Sequence, residues 1–539
     1  MSAPPRKRPR VSPPPSSTEP AAPPPVAVPS SRPAASVAAA ERSSPAALSI
    51  HPPAQYLSAG TTPFQLPFHL TSFSYSPSRE LLLDDARKDE ALAYYREPPL
   101  GSDLNHGFEQ AVWRDGSVDE GLDALLETLS SWARKNAGPA ADDLLGKISV
   151  ITWRGMLTKL MLAVYEADNV ANGRRADGWE MNAMVLDGCL YLEESNPPAK
   201  LFAKSASESS NALPSYYGYS FESYCTTAGP SSSATPPAPA PPNEFHVPNM
   251  NVQWCSVVKT NLGGFRALVG GEVDCVRSNA PADARKVGTK DFVELKTNLV
   301  IQSQRDEVNF ERLKLLKHYV QSFLLGVPRI TVGFRTRAGE LAALQHFNTL
   351  EIPRLVRGKP HAWDPAACLA SAKELLAFLH AQIKGHEATQ RAEAALADSS
   401  ELDDAGMREW PVFRVSFDPA QRSVSVRELM SEEVRGEVWS AKRPAGGEEA
   451  GGGAGRIGFL LASWVREVKA RRERLSAGAA AKKSATAPPT VSAPSTSCKP
   501  AHPSSAEESS TGLVVPVLPN VDSANAPPPS RGVAAGLKR

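Results

Sequence analysis

Leu268-Val269-Gly270-Gly271-Glu272-Val273-Asp274-Cys275-Val276, then a turn-rich passage from Ser278 to Gly288, then Phe292-Val293-Glu294-Leu295-Lys296-Thr297: these two short runs decide how the rest of this 539-residue chain is read. In a strand, alternate side chains share a face. Glu272 and Asp274 therefore point one way, with Val273 and Cys275 opposite. In the second run Glu294 and Lys296 share a face, with Val293 and Leu295 opposite. Joined as a hairpin, the two strands are expected to place three carboxylates and one ammonium on a common surface. Either strand alone would read as an ordinary half-exposed strand; it is the pair, with its adjacent double glycine, that points to chemistry.

Carboxylates held close together repel one another unless a cation sits among them. An all-oxygen site suits Mg²⁺ or Mn²⁺ better than Zn²⁺. Such an ion would polarise a phosphoryl oxygen and lower the pKa of a bound water, and a pair of ions ~3.5–4 Å apart would also support the leaving oxygen. Lys296 would stay charged beside the carboxylates and stabilise charge on the reacting phosphorus. This acid, spacer, Glu-x-Lys order resembles the core of the PD-(D/E)xK nucleases.

Moving outward, further motifs stand in order along the chain. They are Trp153-Arg154-Gly155 with Thr158-Lys159, Gly218-Tyr219-Ser220-Phe221-Glu222, Trp254-Cys255-Ser256-Val257-Val258, and Lys314-Leu315-Leu316-Lys317 leading to Gln321-Ser322-Phe323-Leu324. Gly326-Val327-Pro328 and Gly333-Phe334-Arg335 close the series. With the two central runs, they make the stretch from about Phe73 to Val465 resemble the DXO-type decapping nucleases, which include the fungal partner proteins of the nuclear 5′-3′ exoribonuclease. The resemblance implies that Glu222, Glu272, Asp274 and Glu294 bind the metal, with the Leu295 carbonyl as a further ligand. It implies that Trp153, Arg154, Gly155, Glu272, Lys296 and Gln321 meet the RNA 5′ end, and that Arg79, Glu120 and Cys255 also line the substrate pocket. Arg154 has the planar fork suited to bidentate phosphate contact. Each of the last three has a plain structural alternative: a surface charge, a residue of a helix's first turn, and a small buried hydrophobe. Lys314 and Lys317 lie near Gln321 on a helical wheel, where a solvated face is the first reading and a basic edge toward RNA the second.

Composition sets the outer limits. Residues 1–56 and 476–539 are dominated by Pro, Ala and Ser, too poor in apolar bulk to offset chain entropy, and read as disordered tails. Between them a single catalytic domain is expected over 57–475, interrupted by low-complexity insertions at 229–243 and 446–455. The formal net charge of +1 carries no global signal for nucleic acid or membrane, so any nucleic-acid site is a local patch. Arg6-Lys7-Arg8-Pro9-Arg10 has the form of a nuclear import signal. That points to the nucleus, with the cytoplasm as a second location. The six cysteines show no paired zinc spacing, which fits a reducing compartment, and no apolar run reaches the length of a membrane span.

Periodicity predicts helices over Glu120–Asn136, Trp153–Glu166 and Ala366–Lys384. Strands are expected within Trp179–Glu193, and a hairpin from Val412–Phe417 and Ser423–Val426. The expected fold is α+β, with mixed, largely antiparallel β-sheets flanked by helices, a PD-(D/E)xK-like metal core and the active site in a cleft between sheets. The function implied by the resemblance is hydrolysis of RNA 5′ ends: incompletely methylated caps, NAD caps and pyrophosphate release from 5′-triphosphates, in RNA 5′-end quality control. A DNA nuclease on the same metal core is one rival, although duplex binding calls for a larger basic footprint. An interaction protein that mainly stabilises the exoribonuclease is the other, and loss of a carboxylate would favour it; all four are present.

Overall fold

The computed structural model describes residues 45–210, 212–230, 245–397, 410–442 and 455–486. The basic cluster at Arg6–Arg10 and most of both expected insertions and tails lie outside the described residues.

Two sheets dominate. The larger has ten strands in the order β1 (Ala46–Ser49), β16 (Ser423–Glu428), β15 (Phe413–Asp418), β6 (Trp179–Leu186), β7 (Cys189–Glu194), β5 (Val150–Trp153), β10 (Phe265–Glu272), β9 (Gln253–Leu262), β2 (Phe64–Tyr75) and β3 (Leu81–Leu82). Only β5 runs parallel to its neighbours, β7 and β10. The smaller has six: β14 (Leu341–Asn348), β13 (Arg329–Arg335), β12 (Phe292–Leu299), β11 (Cys275–Val276), β4 (Tyr94–Tyr95) and β8 (Thr226–Thr227). Its pairs alternate between antiparallel and parallel. The expected α+β fold with largely antiparallel sheets is the fold observed.

Helices cover both faces of the larger sheet. Asp123–Lys135, Arg154–Ala171 and Pro365–Gly385 all fall where the apolar spacing predicts them. Leu157, Leu160, Met161 and Val164 of the second pack with Leu375, Leu376 and Leu379 of the third in the main core. Leu122, Leu125, Leu126 and Leu129 build a second core on the other side, with Trp464 and Val465. At roughly 1.5–3 kcal/mol for each fully buried large apolar side chain, these two layers supply most of the driving force. The strands β15 and β16 form the predicted antiparallel hairpin.

Three expectations need correction. The stretch 45–56, assigned to the N-terminal tail, is built into the fold. The strand β1 pairs antiparallel with β16, and Tyr56, buried on the helix Pro53–Ser58, donates its hydroxyl to Glu374 Oε2 at 2.7 Å. Four residues of Ala46-Ala47-Leu48-Ser49 are too few to show a period, and only a waiting sheet edge orders them. At the other end, the helix Ala462–Thr486 runs past the expected boundary at 475. Finally, the two central runs are not one hairpin. Glu272 ends β10 in the larger sheet, and antiparallel pairing with β12 is confined to Cys275 with Val293 and Val276 with Phe292. The chain crosses from one sheet to the other within Val273 and Asp274, so these carboxylates stand at the junction of the two sheets.

Candidate active site

A small apolar cluster shows why the acidic groups converge. Phe221 and Cys225, Cys275, and Val293 and Leu295 pack together as one buried group. Each is the neighbour or near neighbour of an acid in the chain, so packing them turns Glu222, Asp274 and Glu294 away from the cluster and toward one another. Glu222 comes from the helix Ala212–Tyr224, which packs on β12. Phe221 is seated so closely over β13 that a Cβ on Gly333 would lie 2.5 Å from its ring.

The double glycine opens space on the other side. A Cβ on Gly270 would meet the Trp153 ring at 2.7 and 2.8 Å. One on Gly271 would lie 2.6 Å from Leu325 Cδ1 and 3.2 Å from Arg154 Cβ. Absence of those atoms lets Trp153 and Arg154, at the junction of β5 and the helix Arg154–Ala171, lie against the end of β10. The Trp153 Nε1 donates to the Gly121 carbonyl at 2.7 Å, which fixes the indole. Gly155, next in the helix, faces open space.

Ion pairs then knit the centre. Glu294 is fully buried and receives Arg154 Nη1 on Oε2 at 2.9 Å and Lys296 Nζ near Oε1 at 2.7 Å. The second contact is an ion pair whose alignment falls short of a hydrogen bond. Asp274 Oδ2 accepts from the Leu295 amide at 2.6 Å and stands 3.4 Å from Lys296 Nζ. Lys296 Nζ also donates to the Leu295 carbonyl at 3.0 Å.

These contacts divide the carboxylates electrostatically. Burial pushes Glu294 up, but Arg154 and Lys296 outweigh it and hold its pKa at about 2. Glu272 is pushed up to about 7 by burial and by Asp274, against Arg154, Lys296 and Gln253. Glu222 is raised well above the usual carboxylate range by burial and by the charges of Asp274 and Glu272. Asp274 is raised by burial and Glu294 despite Lys296. Burial works against the Lys296 ammonium, yet Asp274 and Glu294 keep its pKa above the ordinary value.

Four carboxylates against Arg154 and Lys296 leave two negative charges in excess when all are ionised. Among the described residues, no group of three or more His, Cys, Asp or Glu side chains forms a closed metal cage. Glu294 is turned to Arg154 and Lys296, and Asp274 to the Leu295 amide. The donors are all hard oxygens and their excess charge matches a divalent cation, so the chemistry of the donor set suits such an ion.

The other expected residues lie as follows. Arg79 donates Nε and Nη2 to the two oxygens of Glu120 at 2.9 and 2.8 Å, and its guanidinium lies 3.5 Å over the Tyr75 ring. Cys255 is buried on β9 directly opposite Glu272, and burial followed by the Glu272 charge pushes its thiol well above the ordinary range. A buried, protonated thiol of this kind is not an activated nucleophile. Gln321 is half-buried on the helix Leu316–Leu325. Lys317 of that helix is exposed, while Lys314 Nζ donates to Asn298 Oδ1 at 2.6 Å. A separate groove of about 750 Å³, lined by His69, Trp132, Lys135 and Lys290 among others, shares no residue with this site.

Three residues were not anticipated. Arg114 is a second cation on Glu120, at 2.6 Å. His318 is buried with neither ring nitrogen hydrogen-bonded, and burial, then Lys296, lowers its pKa to about 3, so it stays neutral. Gln253 accepts from Arg79 Nη1 at 2.7 Å. Its signal was present: it lies two residues before Cys255, on the same face of the same strand.

Comparison with known proteins gives the family and the fold. A family model described as RAI1 like PD-(D/E)XK nuclease matches residues 65–442. The decapping nuclease RAI1 of Mycosarcoma maydis is 34% identical over 469 residues, covering 76% of this chain and 88% of that protein. That of Neurospora crassa is 37% identical over 348 residues, covering 62% of this chain and 77% of that protein. The crystal structure of S. pombe Rai1 in complex with 3′-FADP superposes with a TM-score of 0.51 at 26% identity, covering 72% of this chain and 100% of that one. By its motifs, its two-sheet cleft and these matches, the chain belongs to the RAI1-like PD-(D/E)XK nuclease family.

Proposed function

We propose that this protein is a metal-dependent decapping nuclease that hydrolyses phosphate bonds at RNA 5′ ends. The observation that carries the reading is the convergence of Glu222, Glu272, Asp274 and Glu294 from a helix, two sheets and the crossing between them, around Lys296 and Arg154. In this reading Glu222, Glu272, Asp274, Glu294 and the Leu295 carbonyl hold Mg²⁺ or Mn²⁺, two ions in the reacting state. When bound, such ions supply a water of lowered pKa and neutralise charge on the phosphoryl oxygens.

The chain's own residues do the rest. Lys296, fixed between Glu294 and the Leu295 carbonyl, presents a permanent positive charge to the phosphoryl group as negative charge builds. Arg154 offers its guanidinium fork to a phosphate. Trp153, held by the Gly121 carbonyl, and the open surface at Gly155 shape the path of the 5′ end. Arg79, Glu120 and Cys255 form the pocket wall that meets the cap, and Gln321 contacts the first phosphates.

The substrates in this proposal are incompletely methylated caps, NAD caps and 5′-triphosphates. The binding of 3′-FADP, a pyrophosphate-linked dinucleotide, by the S. pombe protein supports the breadth of the set. Nuclear location through Arg6–Arg10 and association with a nuclear 5′-3′ exoribonuclease belong to the same reading. The test is to incubate the purified protein and Mn²⁺ with RNAs bearing triphosphate, unmethylated-cap, methylated-cap or NAD ends, and to identify every product. Release of pyrophosphate, cap or NAD moieties is expected. Intact 5′ ends on all four RNAs would overturn the reading.

A further inference from the structure

Glu272 ends β10 directly opposite Cys255 of β9, and the backbone amide of Val273 donates to the Trp254 carbonyl at 3.1 Å. Gln253, two residues before Cys255, is therefore the diagonal cross-strand neighbour of Glu272 on the same face, within reach of a long side chain. Its carboxamide has two different ends. The Arg79 guanidinium has only donors, so the oxygen of Gln253 must face it, as the 2.7 Å contact from Nη1 shows. The amide NH₂ is then left for the other side, toward Glu272, whose raised pKa Gln253 works to lower.

Arg79 is itself held to an unusual degree. It has φ of +67°, in the left-handed region that non-glycine residues seldom adopt, within the turn closed by Arg79 N to Ser76 O at 2.9 Å. Such a conformation persists when the surroundings over-determine it. Here the guanidinium is clamped by both oxygens of Glu120, by the Asn251 carbonyl at 2.9 Å, by Gln253 and by the face of Tyr75. Glu120, Arg79 and Gln253 thus form one hydrogen-bonded file that ends at the strand position diagonal to Glu272.

We infer that Gln253 is a positioning residue that ties the Arg79–Glu120 wall to the Glu272 carboxylate, so that whatever seats against the wall also sets the orientation of Glu272. The inference rests on the proposed metal role of Glu272. A ligand that shifts Arg79 pulls on the carboxamide, and the carboxamide pulls on Glu272.

Mn²⁺ binding to the full-length protein, measured by titration calorimetry, tests this in four proteins: wild type, Gln253→Met, Arg79→Lys and the double variant. Gln253→Met keeps the volume and removes the carboxamide that bonds Arg79 and faces Glu272. It is expected to weaken Mn²⁺ binding about tenfold, and to lower kcat on capped RNA with KM nearly unchanged. Arg79→Lys, remote from the ion, is expected to weaken Mn²⁺ binding when Gln253 is present and to add nothing in the double variant. Should Gln253→Met fail to fold by thermal melting, Gln253→Asn, which retracts the same amide, is expected to show the same loss. Wild-type affinity in the folded Gln253 variant, or strictly additive effects of the two substitutions, overturns the inference while leaving the metal reading intact. A wild-type protein that takes up no Mn²⁺ overturns both.

Discussion

Arg154 Nη1 lies 2.9 Å from Glu294 Oε2, joining the first turn of a helix launched from the ten-stranded sheet to the centre of a strand in the six-stranded one. The pair spans the cleft. In the proposed function Arg154 has two anionic partners, Glu294 and an incoming phosphate, that compete for one guanidinium. Arg154→Lys keeps the charge but loses the planar fork. With a charge-assisted hydrogen bond contributing about 1.5–3 kcal/mol, kcat/KM on capped RNA is expected to fall about tenfold or more. Unchanged kcat/KM would remove Arg154 from the substrate site.

Removing the acids should be far more severe. The double variant Glu272→Ala, Asp274→Ala deletes two of the four carboxylates, and a metal site contributes several kcal/mol to the barrier. Turnover is expected to drop by at least about a thousandfold, with the circular dichroism spectrum preserved. Cap or NAD release at wild-type rate by the double variant would exclude both residues from the mechanism.

Chelation provides a test that alters no residue. Activity is expected to cease in EDTA and to return on adding Mg²⁺ or Mn²⁺, since two excess negative charges remain without a divalent ion. Turnover indifferent to EDTA would mean that Lys296 and Arg154 suffice and that the carboxylates serve another purpose.

Gly271→Ala should act through geometry. The new Cβ would stand 2.6 Å from Leu325 Cδ1 and 3.2 Å from Arg154 Cβ, so one of them must move. Overpacking of this kind costs about 1–3 kcal/mol. A lowered melting temperature together with a raised KM is expected, because Arg154 is the neighbour displaced toward the site. Loss of stability with unaltered KM would show that Leu325 takes up the strain alone.

The raised carboxyls make stability depend on pH. Burial lifts both Glu272 and Glu166 from an ordinary 4.5 to about 7, with Asp274 adding to the first. A group whose folded pKa is raised contributes stability that is complete below the unfolded value and lost as pH rises through the folded one. The melting midpoint of EDTA-treated protein is therefore expected to fall between about pH 5 and pH 8. Glu294, held at about 2, contributes stability that fades only below 4.5, outside that window. Added Mn²⁺ should flatten the fall by favouring ionised Glu272. A midpoint that rises with pH in the chelated protein would contradict the assignment.

Much of the fold was readable because its signals are local. The helices Asp123–Lys135, Arg154–Ala171 and Pro365–Gly385 carry their apolar spacing in the chain, and the hairpin of β15 and β16 carries its alternation. Ala46–Ser49 was not legible, since four residues become a strand only when the edge of β16 is there to pair with them. The crossing at Val273 and Asp274 escaped for a similar reason. Alternation tells which way side chains point within a strand, but not that the chain leaves one sheet for another between them.

The sequence by itself determined which side chains could act: within β12 the Glu-x-Lys alternation is a consequence of backbone geometry and places Glu294 and Lys296 on one face. Only the tertiary structure decided that Glu222 joins them from a helix, that Arg154 rather than solvent meets Glu294, and that Gln253 stands between Arg79 and Glu272. Those relations depend on how distant segments bury their apolar halves against one another, and packing of that kind leaves no period in the chain to be read.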